Sequence, residues 1–152
     1  MTVPGLLTSD RDAGAGAECH AQQGIAELCA VMLRSRPNVL VIGDATDAED
    51  VLAQLRPHLR SPIVSWLPCE SAILPTAPHY TLLIRAVDRL TALQQGHLFD
   101  IIEATAGNVQ VISLADAPLY PAVEAQTFLR DLYYRLNMVM VDFDCGQHTV
   151  GR

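Results

Sequence analysis

Apolar positions recur with a helical period in the first third of the chain, where Ile25, Leu28, Cys29, Met32 and Leu33 form one stripe that stops before Pro37. Proline disfavours helix at the residue before it, so a first amphipathic helix is predicted to end there. The uninterrupted run Val39-Leu-Val-Ile42 follows, closed by Gly43, and a second helix is predicted with Val51, Leu52, Leu55 and Leu59 on one face. Ile63-Val-Ser-Trp66 and Thr81-Leu-Leu-Ile84 read as further strands, with Trp66 packing at a strand end. A helix carrying Leu93, His97, Leu98, Ile101 and Ile102 comes next, and its period places His97 on the buried stripe as a packed histidine. Val109-Gln-Val-Ile112 and Met138-Val-Met-Val141 complete the set, with a short helix starting near Pro121 between them. Continuous apolar runs suit strands covered on both faces. Five of them separated by helices predict an α/β fold: a parallel five-stranded sheet with helices on both faces.

Residues 1–21 lack this periodicity and are expected to be a flexible tail, as are residues 146–152, leaving residues 22–145 as one α/β domain. A length of 152 residues with half of them apolar fits a single core. The formal charge is −7, from ten basic and seventeen acidic residues, so direct nucleic-acid binding is not expected. Every basic residue is arginine. The absence of lysine excludes Schiff-base chemistry and the phosphate-reaching lysine of a P-loop. No stretch is long enough to span a membrane and no secretory signal pattern opens the chain, so a cytoplasmic location is expected. Cys19, Cys29, Cys69 and Cys145 are far apart; Cys19-His20 and Cys145 with His148 supply only half of a zinc site each, and no metal is expected.

In an open parallel sheet, ligands bind beyond the carboxyl ends of the strands. The segment there after the first strand is Gly43-Asp-Ala-Thr-Asp-Ala-Glu-Asp50, in which Asp44, Asp47, Glu49 and Asp50 suit a helix N-terminus and would repel a triphosphate. Asp44 and Asp47 could hold magnesium in a receiver domain, but that scheme needs an aspartate where Arg85 stands and a lysine that the chain lacks. Tyr133, Tyr134 and Phe128 could form either core or a partner surface.

Phe128-Leu-Arg-Asp-Leu-Tyr-Tyr-Arg-Leu-Asn137 closely resembles the Phe-Arg-x-Asp-Leu-Tyr-Tyr-Arg-Leu-Asn signature of the AAA+ domain in sigma-54-dependent transcription activators. Asn38 to Leu59 is similar to the Walker A strand and helix, Thr81 to Leu90 to the Walker B segment, and Val109 to Asp116 to the sensor I strand, all in the family's order. The resemblance covers roughly residues 22–142 with gaps. It implies a three-layer P-loop NTPase-like architecture, here without the helical lid, sensor II or helix-turn-helix domain. It also leaves no room between Trp66 and Thr81 for the Gly-Ala-Phe-Thr-Gly-Ala loop that engages sigma-54.

The departures fall on chemistry. Where the family has Gly-Glu-x-Gly-Thr-Gly-Lys-Glu this chain keeps Gly43 but loses both later glycines, and Glu49 stands at the lysine. Arg85 and Ala86 replace the Walker B acidic pair, and Asp116 replaces the sensor I asparagine. Of the two arginines that reach a neighbouring subunit, Leu129 stands at the first and Arg135 keeps the second, with Arg130 one place away. The resemblance therefore implies a non-catalytic module in transcription regulation or signalling, with no cofactor. Its protein partner is expected to be a sigma-54-dependent activator, a second copy or another regulator, bound through Phe128, Arg130, Asp131, Tyr133, Tyr134 and Arg135. The alternative is residual ATP and magnesium binding at the altered site, with Arg85 in the role of the missing cation.

Overall fold

The computed structural model describes the backbone of residues 2–3, 13–68, 80–105, 107–142 and 148–151, and side chains within residues 24–142 of these. The elements are β1 (Thr2–Val3), α1 (Ala13–Arg34), β2 (Val39–Ile42), α2 (Ala45–Leu55), β3 (Ile63–Trp66), β4 (Tyr80–Ile84), α3 (Ala92–Thr105), β5 (Val109–Ala115), α4 (Tyr120–Glu124), α5 (Arg130–Leu136), β6 (Val139–Asp142) and β7 (His148–Gly151). The sheet runs β1-β7-β6-β2-β5-β4-β3. Its five consecutive members from β6 to β3 are parallel, while β7 is antiparallel to both β6 and β1.

The five-stranded parallel sheet read from the apolar runs is therefore present, and two short antiparallel strands extend it at one edge. Both come from stretches set apart as tails, and α1 starts at Ala13, well before the first periodic residue Ile25. β1 has only two residues, β7 reads His-Thr-Val-Gly with one apolar residue and so shows no apolar run, and the alanine- and glycine-rich start of α1 has no apolar stripe to read.

Each central strand is buried on both sides, with β2, β4 and β5 buried at every position. Leu40, Ile42, Leu82, Ile84 and Val111 pack on one side with Leu98 of α3, Val123 of α4 and Leu132 and Leu136 of α5. Val39, Val41, Leu83, Ile112 and Leu114 face the other way onto Leu28 and Met32 of α1 and Val51, Leu52 and Leu55 of α2. Strand alternation thus divides the core into two layers, which is why the runs look continuous in sequence.

α3 departs from its expected face. Its buried residues are Gln94, Gln95 and Leu98, whereas Leu93 and His97 are exposed. The helix is rotated by one position because the two glutamines have backbone groups to bond inside. Thr91 and Gln94 form a reciprocal capping box, Thr91 N–H to Gln94 Oε1 at 2.9 Å and Gln94 N–H to Thr91 Oγ1 at 3.2 Å. Gln95 donates through Nε2 to the carbonyls of Leu90 and Thr127, both at 3.1 Å, and accepts at Oε1 from Leu129 N–H at 2.8 Å. The residue that leads the chain into α5 is therefore anchored to α3.

Candidate functional site

The ends of β2, β4 and β5 converge on a cleft of about 120 Å³ lined by Gly43, Asp44, Ala45, Ala48, Glu49, Arg85, Ala86, Leu114, Ala115 and Asp116. Six of the eight positions that the sequence resemblance assigns to a nucleotide site meet there; Asp47 and Asp50, on α2, do not line it. Strand order is what brings them together. β5 lies between β2 and β4, so Asp116 follows the middle strand and Gly43 and Arg85 its two neighbours. Gly43 N–H donates to the Ala115 carbonyl at 3.1 Å, which ties the β2 turn to the end of β5.

The acidic run is a helix start, as its composition suggests. Asp44 is the N-cap of α2, and its Oδ1 accepts from Asp47 N–H at 2.9 Å. Asp47, in the first turn, complements the positive end of the helix dipole. Two residues further on, Glu49 reaches across the cleft and Oε1 accepts a charge-assisted hydrogen bond from Nη1 of Arg85. The two halves of this pair are the positions that the sequence resemblance matches to the Walker A lysine and the first Walker B acid. On that resemblance both charges are opposite to the family pattern, and the attraction between the positions is kept with the signs exchanged. Both side chains remain partly exposed, so the direct contribution of the pair to stability is small.

Ala86, next to Arg85, adopts the left-handed conformation with φ 55°. This is uncommon for a residue with a Cβ. The strand ladder ends just before it, where Arg85 N–H bonds to the Trp66 carbonyl at 3.0 Å, and a short 3₁₀ turn starts just after it. The left-handed residue therefore turns the chain away at the point where Arg85 is presented to Glu49.

The charge of the lining does not match a magnesium triphosphate. The one guanidinium is already paired, and Asp44, Glu49 and Asp116 are exposed carboxylates. The volume is also below the ~300 Å³ at which small-molecule sites ordinarily begin. Among the described residues, no group of three or more metal-ligating side chains occurs. Cys69 and Cys145 lie outside the described residues, as does most of the segment between Trp66 and Thr81.

The expected partner segment divides into two sets. Phe128, 4% exposed, and Tyr133, 8% exposed, belong to the core and present little to a partner. Arg130, Asp131, Tyr134 and Arg135 are exposed, Tyr134 at 58%. The period of α5 explains the division, since Leu132, Tyr133 and Leu136 take its inner face. Tyr133 stacks at an angle against Tyr120 and Tyr134, with ring centroids 5.9 Å and 5.5 Å away, and its hydroxyl accepts from Asn137 Nδ2 at 3.0 Å. Tyr120 and Tyr134 are therefore the outer members of an aromatic cluster rooted in the core. Arg135 forms an ion pair with Glu103 of α3 at 2.7 Å. Sequence reading found Arg135 but not Glu103, and it missed Gln95, which holds the start of α5.

No family model matches the chain, and no curated protein matches it. Solved structures do. The chain is similar to NtrX from Brucella abortus in complex with ATP, with a TM-score of 0.61 and 17% identity over 90% of this chain and 36% of that one. It is similar to the P-loop NTPase domain of a sigma-54 activator from E. coli, with a TM-score of 0.53 and 15% identity over 72% of this chain and 98% of that one. The chain thus spans about a third of the NtrX chain it matches. Likeness at these identities is one of fold, and the fold of this chain is the α/β P-loop NTPase-like fold of those proteins.

Proposed function

We propose that this chain is a non-catalytic AAA+ module of the sigma-54-activator type, acting in transcription regulation or signalling by binding another protein in the cytoplasm. The observation that carries the proposal is the Glu49–Arg85 ion pair, which sets a carboxylate where a phosphate-binding cation would be needed and engages the one cation of the cleft. The fold likeness to NtrX and to the E. coli activator domain supports the type of module. Exposed Tyr134 beside Arg130, Asp131 and Arg135 supports a protein partner, because aromatic and arginine side chains concentrate binding energy at interfaces. The partner is an activator ATPase, a second copy or another regulator.

Calorimetric titration with ATP and magnesium tests the non-catalytic reading. No binding tighter than about 100 μM is expected, a limit of roughly −5.5 kcal/mol. Tighter binding would replace this proposal with a residual ATP-binding domain. Capture of partners by the tagged chain, with ATP and without, tests the second half. A complex weakened by Tyr134→Ala and Arg135→Ala supports the α5 surface, and one indifferent to both removes it.

A further inference from the structure

A larger cavity opens at the opposite end of the sheet, where the strands begin. It measures about 440 Å³, and its lining includes Arg36, Asn38, Ile102, Glu103, Arg135 and Met138. That volume lies within the ~300–1,000 Å³ range of ordinary small-molecule sites. Two guanidinium groups and one carboxylate border it, so the lining carries one positive charge in excess. Glu103 engages one Nη of Arg135, leaving that arginine's other donors available. Arg36 is exposed, with no hydrogen bond or ion pair to another described residue.

Buried amide side chains hold the backbone of Arg135 and that of Pro37, the neighbour of Arg36. Asn38 Nδ2 donates to the Arg135 carbonyl at 2.8 Å, while its Oδ1 accepts from Val111 N–H at 2.8 Å. Gln110 Nε2 donates to the carbonyl of buried Pro37 at 2.8 Å, fixing the residue next to Arg36. Arg36 itself is left-handed, φ 47°, a conformation that a non-glycine residue keeps only when its surroundings impose it. Ile102 and Met138 add apolar wall, Met138 being an adaptable and exposed one.

From this arrangement we propose that the cleft binds an organic monocarboxylate, its anionic end between Arg36 and Arg135 and its apolar body against Ile102 and Met138. The arginine fork suits a planar carboxylate. A single negative charge brings the lining to neutrality, which favours a monoanion over a phosphate dianion. The cleft shares Arg135 with the proposed partner surface, but Arg36, Ile102 and Met138 lie outside that surface, so the response of Arg36 to a carboxylate separates this proposal from the protein-binding reading.

The test is titration of the full chain with phenylacetate at pH 7, following the side-chain Nε–H resonances of Arg36 and Arg135 by NMR. Both are expected to move together with a Kd of about 1 mM, and neutral phenylacetamide is expected to leave them unmoved. Arg36→Gln and Arg135→Gln should each weaken binding by about tenfold, the loss of one charge-assisted contact. Glu103→Gln should tighten it several-fold by releasing Arg135, a gain that a purely structural role for the pair would not produce. The peptide Ac-Ala-Glu-Leu-Phe-NH2 distinguishes sources: tighter binding than phenylacetate through the same arginines places the carboxylate on a polypeptide and upholds the site. Response to inorganic phosphate alone, no movement with any probe up to about 20 mM, or weaker binding by Glu103→Gln would each overturn the proposal. Amide spectra report folding, and should Arg135→Gln not fold, the exposed positions Arg36 and Glu103 decide.

Discussion

Replacing Gln95 with alanine removes three hydrogen bonds at once from a side chain that is 2% exposed. The Leu90 and Thr127 carbonyls lose a donor and Leu129 N–H loses its acceptor, all at the junction between α3 and α5. At about 1 kcal/mol for each bond, the cost is about 3 kcal/mol. Against a domain stability of roughly 5–15 kcal/mol this is a large fraction. For a chain of this size it corresponds to a fall in Tm of about 6–12 °C. Gln95→Glu sharpens the test, since a carboxylate would keep the acceptor for Leu129 N–H but face two carbonyls. The neutral acid is then favoured in the folded state, raising its pKa above the unfolded value near 4.3. The folded state binds more protons over that interval, so the stability of this variant should fall as pH rises from about 4 to 7 relative to wild type. Differential scanning calorimetry across that range measures both effects. A Tm loss under about 2 °C for Gln95→Ala, or a Gln95→Glu variant with no added pH dependence, would refute the assignment of Gln95 as the anchor of α5.

Arg85→Ala should change unfolding free energy in urea by less than about 1 kcal/mol, because the Glu49 pair is partly exposed. A larger loss would mean that the pair stabilises the fold beyond occupying the cleft. Tyr134→Ala should leave stability within about 0.5 kcal/mol, while Leu132→Ala on the opposite face of α5 should cost about 2–5 kcal/mol, by the same urea assay. Burial pushes the Tyr133 hydroxyl above its ordinary value near 10, with Asn137 opposing and the neighbouring tyrosines reinforcing the rise, and burial does the same at Tyr80. Their folded pKa values exceed the unfolded ones, so their contribution is complete below about pH 10 and is lost as pH rises through the folded values. Alkaline unfolding monitored by circular dichroism should therefore move to higher pH in Tyr133→Phe.

Much of the architecture was legible from local pattern, because a strand buried on both faces must be apolar throughout. The runs at 39–42, 63–66, 81–84 and 109–112 all fall within observed strands. The acidic helix start after Gly43 was legible too, since short carboxylates before a helix have one local use that needs no distant partner. The face of α3 was not, and for a physical reason. Periodicity counts apolar side chains, whereas Gln94 and Gln95 are buried by hydrogen bonds to residues 26 to 34 positions away in sequence.

The sequence by itself determined that lysine is absent from the chain and that a carboxylate stands at position 49. Only the tertiary structure decided that Glu49 and Arg85 meet, because strand order places the end of β4 one strand away from that of β2. Tertiary structure likewise sent Phe128 and Tyr133 inward and left Tyr134 exposed, and it brought Arg36 and Arg135, nearly a hundred residues apart, to the lining of one cavity. Helix and strand periods are properties of neighbouring residues. The meeting of side chains at a cleft depends on the order in which strands pair, which no local pattern records.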